Sequence, residues 1–350
     1  MGSLLTYSGL TTKVKAMKSR LLKESQYREL ASFHSVPQAV DYLDTLPAYR
    51  PFLSGNGEKA IHRGKIEELL LQSKYRDFSK LYRFSNLSQR KFLDLYFMHY
   101  EIEKLKRCLR GVIGHHPLEL DLSLFQDFFT RHSGLDLLSL STSKDLAEFT
   151  ENLAGSRYYE MMARLSRQDH ITLFDYEMNL DMLYFKTMWK EAEKHLKRDE
   201  REAIAECFGS RLDMLNIQWI YRCIAYYHMS ALEIYALLIP IRKHLKPEQT
   251  RSLANSGSTD EFLDALRTTY YGSQGPGRKE MEPNPEKLTR QVLNRVHKMT
   301  EQRDPYSIAT VNSYLYFKEL EIERIIHIIE CIRYGHEPSQ ILSSIVNVTW

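Results

Sequence analysis

Apolar positions along this chain recur at steps of three and four residues, the spacing of one face of an α-helix. The last long segment carries the pattern furthest. Ile308, Val311, Leu315, Lys318, Ile322, Ile325, Ile329 and Ile332 form one stripe, interrupted only by the lysine. Pro305 stands near the expected start, where a missing N–H costs nothing, and Gly335 suits a left-handed C-terminal cap. The pattern predicts a helix of about 29 residues, ~43 Å long at 1.5 Å per residue. Lys186–Glu206 reads as one charged helix, a solvated arm or hairpin face with Glu193 and Lys197 at i,i+4. No alternating run is bounded by Asn-Gly or Asp-Gly, so strands are not expected. The helices are broken at Ser54–Gly57 and more fully at Gly272–Lys279. A restart follows with Asn284 as N-cap and Pro285 at the first helical position.

Two patterns repeat. In the first, a serine precedes a small amphipathic helix and then a tyrosine. The copies are Ser35 to Val40, Leu43 and Tyr49; Ser143 to Phe149, Leu153 and Tyr158; and Ser258 to Phe262, Leu266 and Tyr271. In each, the tyrosine lies nine residues after Val40, Phe149 or Phe262. The second pattern is Glu101 to Arg107-Cys108, Asn216 to Arg222-Cys223, and Glu321 to His327. Both recur at a period of about 110 residues, which indicates a triplicated helical unit. The approximate copies are 1–115, 116–225 and 226–350, with helices shared between them and the long C-terminal helix in the third.

At 350 residues, 43% hydrophobic and 11% aromatic, the chain can bury two or three small cores and is not expected to be disordered. Its 48 basic and 45 acidic residues are too evenly matched for a nucleic-acid coat. The first helix is the exception. It carries Lys13, Lys15, Lys18, Arg20 and Lys23 beside an apolar seam of Leu10, Val14, Met17 and Leu21. That face suits an acidic partner or a membrane headgroup surface; the plainer reading is a solvated basic face. No run approaches the ~20 apolar residues of a membrane span, and Arg222 and Glu233 interrupt the most apolar region, Met214–Ile241. The N-terminus does not read as a secretory signal. Its Met-Gly start matches a myristoylation pattern too short and common to carry weight. Cys108, Cys207, Cys223 and Cys331 lie far apart with no C-x-x-C, as expected in a reducing compartment.

The sequence offers no residues expected to be catalytic, cofactor-binding or metal-binding. There is no nucleophile elbow and no phosphate loop. Pro276 removes an amide donor from the glycine-rich Gly272–Gly277 stretch. None of the 13 histidines has a glutamate three residues before it, so the di-iron helical motif is missing. His115-His116 with Glu119 is the nearest metal-like cluster, and a loop before Pro117 explains it more simply. Asp175 and Asp181 are six apart, on different faces of a helix. Asn86-Leu-Ser88 and Asn347-Val-Thr349 are glycosylation sequons in form only.

Several segments together resemble one family. They are Thr12–Leu22; Asp213–Ile217 with Arg222; Leu238-Ile-Pro240 followed by Asp260–Phe262 and Thr269-Tyr270; and Pro305–Ala309 leading into Glu319–Ile322. The family is that of the C subunits of prokaryotic V-type (A/V-type) ATPases, counterparts of the eukaryotic d subunits, and the resemblance covers essentially the whole chain. It implies an all-α fold of three similar helical domains in a pseudo-threefold funnel with a central hole. It implies a non-catalytic central-stalk subunit without a nucleotide site or cofactor. Such a protein is a socket between the central shaft and the membrane rotor ring in ATP-linked H⁺ or Na⁺ transport. It would sit peripherally on the cytoplasmic face, held through the ring. Stiff helices and a closed collar suit a part that transmits torque without reacting. The sequence departs from a common pattern at His327, where the other copies have Arg107 and Arg222, and in the length of the Gly272–Pro285 insert. The alternatives are an all-helical scaffold with no rotary role, and an enzyme using acidic residues or His115-His116.

Overall fold

The computed structural model describes residues 2–54, 63–114, 129–130, 132–168, 170–273 and 284–346. Among them there is no strand; the fold is all-α, as the periodicity requires. His115, His116, Gly57, the core of the Gly272–Pro285 insert and the Asn347 sequon lie outside the described residues. The chain forms two compact units, residues 62–196 and residues 1–61 with 197–350.

The larger unit begins with α1 (Gly2–Lys18), α2 (Glu24–Ala31), α3 (Val36–Thr45) and α4 (Arg50–Leu53). The 62–196 unit contains α5 (Arg63–Phe84), α6 (Leu87–Gly114), α7 (Leu137–Ser141), α8 (Leu146–Glu151), α9 (Tyr159–Leu165) and α10 (Leu173–His195). The larger unit resumes with α11 (Arg198–Arg222), a π-turn at Cys223–Tyr227, α12 (Ala231–Leu237), α13 (Pro247–Ala254), α14 (Thr259–Arg267) and α15 (Tyr270–Ser273). It ends with α16 (Pro285–Arg303), α17 (Ile308–Arg333) and α18 (Pro338–Val346).

In the 62–196 unit, α6 packs along α10. The pair is tied by Lys106 Nζ to Asp181 Oδ2 at 2.6 Å and by a two-pronged Arg110–Glu177 ion pair. Aromatic rings fill the interior: Phe78, Phe92, Tyr100 and Phe129 are all buried. Asn86 starts α6 by exchanging hydrogen bonds with Gln89, its side-chain carbonyl accepting from the Gln89 amide and its own amide donating to Gln89 Oε1. That capping box gives Asn86 a structural role at the start of the helix.

In the larger unit, α11, α16 and α17 pack on one another, and α1, α2 and α3 pack on α17. The stripe predicted on α17 is buried along its whole length, Lys318 included. The helix is shorter than predicted: 26 residues, about 39 Å. The cause is Ser307, whose side chain accepts from the Ala309 amide and sets the start there. Pro305 stays in the preceding turn, where its carbonyl accepts from the Thr11 and Thr310 hydroxyls. At the other end Gly335 has φ +71°, and the Gly335 and His336 amides donate to the Ile332 and Cys331 carbonyls, a Schellman closure. The Asn284 cap, with Pro285 at the first helical position, forms as the sequence indicates.

The continuous charged helix expected over Lys186–Glu206 is not formed. The helix stops at His195, Leu196 turns extended, and a new helix starts after Lys197, whose amide donates to Glu200. Glu193 and Lys197 are therefore not paired along one helix. The restart is anchored because Glu200 is buried and accepts from the Tyr7 hydroxyl of α1.

Two expectations follow. Gly335→Ala should destabilise the chain by about 1 kcal/mol, because the left-handed backbone disfavours a Cβ. No atom lies within 4 Å of the Cβ position, so the cost is conformational rather than steric. A lower urea midpoint checks this; an unchanged one contradicts it. His297 is buried between α16 and α17, stacked on Tyr316 with ring centres 4.1 Å apart. Burial, with Arg211 nearby, pushes its imidazole down to about 3 from the ordinary 6.5. Below pH 6.5 the unfolded chain takes up a proton that the folded chain refuses, so stability is lost as pH falls from there toward 3. Between pH 7.5 and 5, wild type should lose about 2 kcal/mol more than His297→Gln. Parallel stability curves for the two proteins would refute this.

Candidate functional site: buried tyrosine–carboxylate bonds and an exposed aromatic corner

The three tyrosines of the sequence repeat occupy one kind of position. Each follows a short helix, α3, α8 or α14, and a tight turn, and each lies at or in the start of the next short helix. Tyr49, Tyr158 and Tyr271 are almost wholly buried, as are Val40, Phe149 and Phe262 nine residues earlier. The caps of the preceding helices differ. Ser258 accepts from the Glu261 amide, whereas in the second copy Asp145, not Ser143, caps the helix by accepting from Glu148. Ser143 instead donates to the Ser139 carbonyl.

Each tyrosine hydroxyl donates to a carboxylate on a long helix. Tyr158 reaches Glu101 on α6 at 2.7 Å, Tyr271 reaches Asp213 on α11 at 2.8 Å, and Tyr49 reaches Glu321 on α17. Each carboxylate has further donors. Glu101 accepts from the Ser133 hydroxyl at 2.6 Å. Glu321 accepts from the Leu22 amide at 2.5 Å and from Lys318 Nζ at 2.9 Å. Asp213 accepts from the consecutive amides of Lys243, His244 and Leu245. Burial, reinforced by the neighbouring carboxylate, pushes all three phenols well above their ordinary range, so they remain donors. Burial also pushes the Asp213 carboxyl up, against the opposing pull of its amide and Tyr271 donors.

The second repeat is thereby corrected by one helical turn. Glu101 and Glu321 are acceptors, but Asn216 is not their counterpart. Its side chain exchanges hydrogen bonds with the Ile239 backbone, while the carboxylate stands at Asp213. Asp213 is 112 residues after Glu101 and 108 before Glu321. Positions three apart share a helix face, so the shifted alignment looks consistent in sequence. Arg107, Arg222 and His327 have no common role. Arg222 pairs with Glu286 in the open, and His327 lies against Ser344.

The other candidate residues take structural positions. Asp175 closes the capping box of α10 with Thr172, and Asp181 holds Lys106. Burial pushes the Cys108 thiol up to about 11 and the Cys207 thiol up to about 12, away from the reactive thiolate. Among the described residues, no group of three or more His, Cys, Asp or Glu side chains could hold a metal ion. No helix among them is long and apolar enough to cross a membrane.

One surface feature lies outside the sequence expectations. The π-turn after α11 ends in His228, left-handed at φ 50°. Tyr226, Tyr227 and Leu232 project from this corner, 69%, 71% and 83% exposed. Beside it lies a cleft of about 340 Å³ lined by Gln218, Tyr221, Arg222, Tyr226, Asn284, Pro285 and Glu286. Adjacent tyrosines in the most apolar run are the only signal of it in the sequence.

Comparison with known proteins bears on what this arrangement serves. The C subunit of the A-type ATP synthase of Methanosarcina mazei is 24% identical over 322 residues, 90% of this chain and 86% of that protein. The proteins of the same name from Desulfurococcus sp. and Thermococcus kodakarensis are 24% and 23% identical, each over 96% of this chain and 89% of their own length. Residues 10–344 match the family described as ATP synthase (C/AC39) subunit. With all but the ends of its sequence accounted for in that way, the chain belongs to the ATP synthase (C/AC39) subunit family.

Proposed function

We propose that this chain is an accessory, non-catalytic subunit of a rotary A/V-type ATPase. It would seat the central shaft on the membrane rotor ring and so couple ATP turnover to H⁺ or Na⁺ movement. It would lie peripherally on the cytoplasmic face and be held there by the ring. In this reading the copies 1–115, 116–225 and 226–350 form a pseudo-threefold funnel around a central hole.

The observation that carries the proposal is the order of the three buried bonds. The second copy's Tyr158 binds the first copy's Glu101. The third copy's Tyr271 binds Asp213 of the second. The first copy's Tyr49 binds Glu321 of the third. The sequence is cyclic, each copy holding the one before it, and the last bond joins the N-terminal copy to the C-terminal one. The Tyr158–Glu101 bond lies within the 62–196 unit and the other two within the larger unit. A collar closed in this order would resist shear between its copies, as torque transmission requires. The relatives' place in A-type ATP synthases supports the same reading.

A socket turns with the ring, so joining it covalently to the ring leaves the motion intact. Engineered cysteines that crosslink this chain to the ring should leave ATP-driven ion pumping by the assembled complex near normal, even when crosslinking is efficient. Abolished pumping in an otherwise intact complex would show that the two move relative to each other and would end the socket reading.

A further inference from the structure

The charge of this chain is not evenly distributed. Residues 1–23 carry five basic side chains and no acidic one, leaving 43 basic against 45 acidic in the other 327. The whole positive excess therefore resides in α1 and the turn after it. In the fold, Lys15, Arg20 and Lys23 are exposed and make no ion pair among the described residues. The strip continues onto neighbouring elements. Lys15 Nζ lies 5.8 Å from the centre of the partly exposed Tyr306 ring, and Lys18 Nζ lies 5.2 Å from that of Phe317 while pairing with Glu301. Lys298 is held below the ordinary lysine range by burial and by the nearby charges of Lys18 and Arg324.

An acidic protein segment fits this face better than a lipid surface. A lipid-binding helix needs an apolar stripe running beside its basic residues. The apolar stripe of α1, Tyr7, Leu10, Val14 and Met17, is buried. The exposed leucines, Leu4 and Leu5, are at the opposite end of the helix, about 15 Å from Lys15 at the helical rise. We propose that the basic segment carrying the exposed Lys15, Arg20 and Lys23 docks an acidic segment of a partner protein. The proposal does not depend on the rotary reading: it specifies the partner's charge and the residues that receive it.

The test uses the full chain and a fluorescent 20-residue glutamate-rich peptide, with vesicles containing phosphatidylglycerol as the competing surface. Wild type should bind the peptide, and binding should weaken steeply as salt is raised. The triple variant Lys15→Glu, Arg20→Glu, Lys23→Glu should bind at least about tenfold more weakly. A control variant with the same charge change elsewhere, Lys144→Glu, Arg201→Glu, Lys246→Glu, should bind nearly as wild type does. If the reversed variant fails to fold by circular dichroism, the glutamine versions of the same three substitutions give the same comparison. Equal loss in the two variants would reduce the effect to net charge and overturn the proposal. So would undiminished binding by the α1 variant, or binding to vesicles without binding to the peptide.

Discussion

A carboxylate buried in a helical protein must be supplied with donors or it costs several kcal/mol. This chain places one such carboxylate on each of three long helices and supplies each from a tyrosine some distance away in sequence. The bond does two things at once. It satisfies the acid, and it fixes the short-helix segment that carries the tyrosine against the long helix. The apolar residue nine positions earlier is buried with it, so the hydrogen bond orients contacts that hydrophobic burial alone would leave free to slide.

The three sites solve the same problem with different co-donors. Glu101 has a serine hydroxyl, Asp213 has three consecutive amides, and Glu321 has an amide and a lysine. The lysine is the most unusual. Lys318 is only 2% exposed, and its ammonium lies 2.9 Å from both the Tyr49 hydroxyl and Glu321, over the face of the Tyr49 ring. A buried cation is tolerable there because the carboxylate neutralises it and the ring faces it. That cluster ties residues 22 and 49 to α17, so the two ends of the sequence are packed together.

Much of this was legible in the sequence. Helical periodicity indicated the fold class, and the recurrence of Tyr49, Tyr158 and Tyr271 marked the positions that carry the buried bonds. Lys318 stood out as the one polar residue in an apolar stripe. The acceptor register was not legible, because Asp213 and Asn216 lie on the same helix face and both are buried, so the two alignments look alike in sequence. The break at Leu196–Lys197 was hidden for a related reason. Lys and Glu spaced for an ion pair within a helix also suit a helix start, and the long-range contact of Glu200 with Tyr7 decides between them. The exposed corner at Tyr226 and Tyr227 lies inside the most apolar run of the sequence, whose composition gives no sign of exposure. The two tyrosines end the π-turn just before the left-handed His228.

The cyclic order of the bonds links the fold to the proposed role, and the closing bond, Tyr49 to Glu321, is the one on which the cycle depends. A double-mutant cycle with Tyr49→Phe and Glu321→Gln, followed by urea denaturation, measures that bond directly. A closed arrangement predicts a coupling of about 1–3 kcal/mol, similar to cycles at Tyr158–Glu101 and Tyr271–Asp213. A coupling near zero at Tyr49–Glu321, with the other two intact, would mean that the ends of the chain are not held to each other by this bond, and it would contradict closure.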